Sequence, residues 1–175
     1  MSEPFVNKVA ESGLVSIDLA SFIPPEELVV FDLKPYLFME LILKEKDFRA
    51  ALTTLDWSIY QDKLVTICCS VDAVIPMWAN MLVVSGLNPF AKAVYFGDET
   101  KAKEQILLDQ INLLNPNDYL EQRVVIKGCG ETPISESAYV AITQKLRPTV
   151  KSIMYGEPCS TVPVYKKKNE PTATS

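Results

Sequence analysis

From about residue 60 onward, short apolar runs alternate with segments of helical length, and this alternation constrains the fold more than any other feature of the sequence. Leu64–Cys69 reads as a fully buried strand, followed by a helix from about Val74 to Ser85 that Gly86 and Pro89 close. Ala93–Phe96 leads through Gly97-Asp98 into a helix over about 99–114. Val124–Lys127 leads through Gly128-Cys129-Gly130 to a helix near Ser135–Leu146, and Ser152–Tyr155 runs into Gly156-Glu157-Pro158-Cys159. Strands joined by helices of ten or more residues need crossover connections and therefore lie parallel. The expected fold is a three-layer α/β domain with a mainly parallel, Rossmann-like sheet.

The first third adds extra strands at Leu14–Leu19 and Leu28–Phe31, expected as an antiparallel edge, after a short helix or arm over residues 1–13. Asp32 before Pro35 reads as a helix start. Asp47–Leu55 reads as a helix with Phe48, Ala51, Leu52 and Leu55 on one face. A faint internal echo accompanies the pattern: Tyr60 precedes Val65 and Ile67 at the spacing with which Tyr119 precedes Val124 and Ile126. Residues 1–165 are read as a single α/β domain, and 166–175, with three lysines, as a flexible, solvated tail.

With 48% apolar residues and 175 positions the chain can bury a real core. A net charge of −5 argues against a nucleic-acid or anionic-membrane footprint. No apolar run is long enough to span a bilayer, and the first residues lack a signal-peptide pattern, so the expected location is the cytoplasm. There the four cysteines are expected as thiols or metal ligands rather than disulfides. The chain contains no histidine, which excludes imidazole-based triads and His-rich zinc sites.

In a parallel sheet, ligands bind beyond the carboxyl ends of the strands. Cys68/Cys69, Asp72, Asp98, Cys129, Glu157 and Cys159 follow such ends. Alternation sends Cys68 and Cys69 to opposite faces; Cys69 is expected at the site and Cys68 in the core. Cys69, Cys129 and Cys159 could hold a zinc ion or an iron–sulfur cluster, with Asp72 as the leading oxygen ligand and Glu157 the second choice. No C-x-x-C pair is present, and four core cysteines are the plain alternative. A third reading makes one cysteine a nucleophile. Gly128-x-Gly130 lacks the third glycine and the lysine of a nucleotide site. Trp78 and Met81 read as core.

Four stretches together resemble an uncharacterised bacterial family catalogued as domain of unknown function 2480. They are Leu43-Lys-Glu-Lys-Asp-Phe-Arg49, Cys69-Ser-Val-Asp-Ala-Val-Ile-Pro76 with Trp78, Val125-Ile-Lys-Gly-Cys-Gly130, and Ser152-Ile-Met-Tyr-Gly-Glu-Pro-Cys-Ser-Thr-Val-Pro163. The resemblance implies a cysteine pattern at Cys69, Cys129 and Cys159, without Cys68, and a genetic context of iron–sulfur cluster assembly. It carries no assigned reaction. The resulting expectation is a metal-binding accessory factor whose partners are iron–sulfur assembly proteins. The alternatives are a thiol-dependent sulfur carrier or transferase enzyme, and an interaction module with core cysteines.

Overall fold

The computed structural model describes residues 13–128, 133–157 and 159–168. The expected N-terminal helix or arm, through residue 12, lies outside the described residues, as do Cys129, Gly130 and Pro158. The elements run β1 (Leu14–Asp18), β2 (Leu28–Asp32), β3 (Leu37–Phe38), β4 (Ile42–Leu43), α1 (Glu45–Thr54), β5 (Leu64–Cys68), α2 (Met77–Leu87), β6 (Ala93–Phe96), α3 (Glu99–Leu113), β7 (Arg123–Lys127), α4 (Glu136–Leu146), β8 (Ser152–Glu157) and β9 (Ser160–Lys166). No helix among them is long and apolar enough to cross a membrane.

The α/β class and the parallel strands are as the sequence predicts, but the strands divide between two sheets. One has the order β1-β7-β8-β9 and the other β2-β5-β6, with a small antiparallel pair of β3 and β4. The extra N-terminal strands are not an antiparallel edge. β1 pairs parallel with β7, Leu14 opposite Arg123, and β2 pairs parallel with β5, Leu28 opposite Leu64. The antiparallel edge is instead β9 on β8. The chain accordingly packs as two compact units, residues 24–105 and the discontinuous set 1–23 with 106–175.

Each unit buries apolar helix stripes against its strands. In the unit of residues 24–105, Phe48 and Leu52 of α1 and Ala79, Val83 and Leu87 of α2 pack with Phe31, Val65 and Ile67. In the other, Ala138, Ile142 and Leu146 of α4 pack with Val124, Ile126 and Ile153. The spacing of four within each stripe keeps it on one helix face. Full burial of an Ile, Leu or Phe stabilises by roughly 1.5–3 kcal/mol. α1 gains further from Glu45 and Asp47 in its first turn and from the Glu45–Arg49 ion pair at 2.9 Å.

The echo seen in the sequence is the visible part of a longer repeat. Met77 answers to Glu136 and Leu87 to Leu146, 59 positions in each case. The same spacing carries the single helical turn Trp57–Tyr60 onto Pro116–Tyr119, and its capping side chain Asp56 onto Asn115. It carries Asp62, at φ 60°, onto Glu121, at φ 56°. It also carries β5 onto β7 and the buried trio of α2 onto that of α4. The leading strands β1 and β2 match as well. Each ends in an aspartate, Asp18 or Asp32, whose Oδ1 accepts the backbone N–H two residues on, at 3.0 and 2.9 Å.

Three local readings change. α2 starts at Met77, with Pro76 in the capping place, and it runs through Gly86 rather than ending there. Met81 is exposed, whereas Trp78 packs at the buried cluster. Lys166 ends β9 and the Lys167 N–H bonds to Lys151 O at 2.9 Å, so the first lysines of the expected tail are tied to the sheet.

Candidate functional site

Two sheets give two carboxyl edges. On the edge of β2-β5-β6, β2 ends at Asp32 in register with Cys68. Asp32 accepts three hydrogen bonds. Its Oδ1 takes the N–H groups of Lys34 and Ser70 at 2.9 and 3.0 Å, and its Oδ2 takes the Ser70 hydroxyl at 2.6 Å. The carboxylate thus ties the end of β2 to the turn that follows β5. Burial alone would raise the Asp32 pKa; the Ser70 and Lys34 bonds outweigh it and hold the group below its ordinary value.

That shift predicts an acid-dependent contribution to stability. A carboxylate with a depressed folded pKa contributes fully above its unfolded pKa and loses the contribution as pH falls through the folded value. Urea midpoints are expected to fall as pH drops below the ordinary aspartate range, and Asp32→Asn is expected to flatten that limb. An identical acid limb in Asp32→Asn would remove Asp32 as its source.

Cys68 is half-buried. Burial pushes its thiol pKa up, and the negative charges of Asp32, Cys69 and Asp98 push it further. Cys69 is also half-buried, but it continues the Val65–Ile67 face and packs against the apolar cluster around Phe31 and Phe48. This reverses the expected faces: the residue beside the acids is Cys68. Asp98 caps α3, its Oδ1 accepting Lys101 N–H at 2.8 Å. Asp72 is exposed in a bend five residues ahead of α2, so it does not cap that helix.

On the edge of β1-β7-β8-β9, Asp18 and Lys127 end neighbouring strands and form an ion pair at 3.4 Å. Gly128 follows β7, where a Cβ would lie 2.2 Å from the Tyr139 hydroxyl. Close approach of Tyr139 therefore accounts for this glycine. Half-buried Glu157 pairs with Ser160 across the turn from β8 to β9, and Cys159 lies exposed in that turn. Gly156, at φ 115°, would place a Cβ 2.6 Å from Ser160 O, so the tight hairpin requires glycine there.

Of the expected ligands, Cys69 and Asp72 thus stand on one sheet's edge and Glu157 and Cys159 on the other's; Cys129 lies outside the described residues. Among the described residues no three Cys, Asp or Glu side chains come together as a metal-holding group. The Asp32–Ser70 tie was missed from the sequence. Its only signal was an aspartate at a strand end, which reads equally well as a helix start.

No curated protein and no solved structure matches the chain. A family whose description is "Protein of unknown function (DUF2480)" matches residues 3–167, and with nearly its whole length covered the chain belongs to that family.

Proposed function

We propose that the protein binds a thiophilic metal centre, zinc or an iron–sulfur cluster, at the carboxyl edge of the β7–β8 pair, as an accessory factor to iron–sulfur assembly proteins. The observation that carries this reading is the pairing of β7 and β8 as parallel neighbours, Ile126 opposite Tyr155. Their following segments leave from the same edge, and the sequence puts Cys129 directly after Gly128 and Cys159 in the turn after β8. Glu157, at the end of β8, supplies a carboxylate on that edge. Thiolates suit zinc and iron–sulfur clusters alike, and the missing donors would be water or a partner's side chains.

The test is metal content and visible absorption of protein purified without oxygen. Cys129→Ser and Cys159→Ser are each expected to lose most of the metal, while Cys68→Ala keeps it. Cys69→Ser and Asp72→Asn are measured beside them because both were expected as ligands. Metal-free wild-type protein, or full retention in Cys129→Ser and Cys159→Ser, would sink the reading.

A second reading, sulfur carriage by an enzyme, is favoured by the exposure of Cys159. Thiolate fraction and access set cysteine reactivity. Cys159 is therefore expected to alkylate well before Cys68, which is half-buried and has its pKa pushed up. With a bound metal, a chelator should accelerate Cys159 labelling; for a sulfur carrier, labelling should be the same with or without chelator.

A further inference from the structure

We infer that the protein binds a phosphate-bearing small molecule in a cleft at the amino edge of β7 and β8. That edge lies at the other end of these strands from Glu157 and Cys159, so the inference does not rest on the metal reading. The cleft, of about 460 Å³, has Arg123, Lys151 and Lys166 in its lining together with Ser152, Met154 and Pro163. Among the described residues none of those lining it is acidic, although the chain as a whole has a net charge of −5.

Strand register builds the site. Arg123 stands opposite Ser152 across the parallel β7–β8 pair, and Ser152 stands opposite Lys166 across the antiparallel β8–β9 pair. Residues opposite one another share a sheet face. One row across three strands therefore sets two cations on either side of a serine. Neighbouring strands lie about 4.8 Å apart, which puts the two cationic residues on the order of 10 Å apart at the backbone. Lys151 directly precedes Ser152, and its carbonyl accepts the Lys167 N–H at 2.9 Å, which fixes its backbone against the end of β9.

The other repeat supplies an internal comparison. At the amino edge of β2 and β5 the cations are answered by acids: Lys63 pairs with Glu27 at 3.1 Å and Lys92 pairs with Glu26. Lys151 is the residue matched to Lys92 at the 59-position spacing. Glu26 and Glu27, just before β2, are matched by Ser12 and Gly13 in the sequence before β1. Glu121, just before β7, is paired with Lys167. Among the described residues no carboxylate forms an ion pair with Lys151 or Lys166. One edge is thus neutralised from within, and the other presents its charge to a ligand. Phosphate suits the set, because it accepts from a guanidinium fork, from lysine point charges and from a hydroxyl at once. Met154 and Pro163 give an apolar wall for an organic group carried by the phosphate, and the volume falls within the ~300–1,000 Å³ usual for small-molecule sites.

The test is calorimetric titration of the full chain with pyrophosphate and with adenosine diphosphate. Both are expected to bind, with the nucleotide tighter if the apolar wall holds an organic group and equal to pyrophosphate if the phosphates alone are recognised. Lys151→Gln/Lys166→Gln is expected to weaken binding by about tenfold, the effect of two exposed charge pairs. Both side chains are exposed, so the far-UV spectrum should not change; should the double variant misfold, Lys166→Gln alone serves. Lys63→Gln/Lys92→Gln removes the same two charges from the other repeat and is expected to leave binding unchanged. A wild-type chain that binds neither probe overturns the inference. So does equal weakening by both double variants, which would mark attraction to overall charge, and so does binding that survives loss of Lys151 and Lys166.

Discussion

Phe31→Ala is expected to remove about 3–5 kcal/mol of stability, the usual cost of deleting a buried phenyl ring. Phe31 is 2% exposed at the centre of an aromatic stack. Its ring lies nearly parallel to Tyr36 at 5.7 Å and to Trp57 at 5.9 Å, with Tyr60 tilted against it at 6.0 Å. Offset aromatic pairs add to the area they bury, so the loss belongs at the upper end of that range. Both tryptophans of the chain, Trp57 and Trp78, fall within residues 24–105. Tryptophan fluorescence in a urea titration therefore follows that unit. A midpoint within error of wild type would show that the stack does not hold the unit together.

The second large effect has a sign opposite to the usual rule. Replacing a glycine inside a helix by alanine ordinarily stabilises by about 1 kcal/mol. Gly86 lies inside α2, yet a Cβ built there falls 2.4 Å from Cζ2 of Trp57 and 2.6 Å from Cε2 and Cη2. The indole cannot swing aside freely, because it stacks on Phe31 and packs against Tyr60. Gly86→Ala is therefore expected to destabilise by ~1–3 kcal/mol, the cost of overpacking. The position matched in the other repeat is Lys145, and there the residue matched to Trp57 is Pro116. Gly86→Ala in a Trp57→Ala background should recover the ordinary helix gain. Destabilisation that persists without the indole would remove Trp57 as the cause.

Gly86 also shows what the sequence could and could not reveal. As a symbol in a string it reads as a helix terminator; its reason is a ring brought near from 29 positions earlier. The α/β class was legible because strand and helix have different apolar periods. The partition into two sheets was not, because a strand's pattern does not name its partner. β9 was missed for a related reason. Pro163 lowers the strand reading of its own segment, and proline is tolerated there because the strand lies at an edge. The faces of Cys68 and Cys69 were hidden because β5 is buried on both sides. Thr66 is as inaccessible as Val65, both at 0%, so alternation along the strand carries no polar contrast to orient it. The repeat was visible only where both copies kept the same side chains, at Tyr60/Tyr119 and the strands that follow. Elsewhere it survives in backbone geometry, as in the left-handed Asp62 and Glu121.

The discontinuous unit imposes a timetable on synthesis. β1 leaves the ribosome before the other described strands, but its partner β7 lies more than a hundred residues downstream, Leu14 against Arg123. At about 5–20 residues per second, β1 waits on the order of ten seconds for that partner. Residues 24–105 meanwhile hold every strand of the β2-β5-β6 sheet and can fold as soon as they emerge. The later repeat then closes by recruiting β1, a strand made more than a hundred residues earlier. Just before β7 emerges from the exit tunnel, the nascent chain presents every strand of one sheet and a β1 still without its parallel partner.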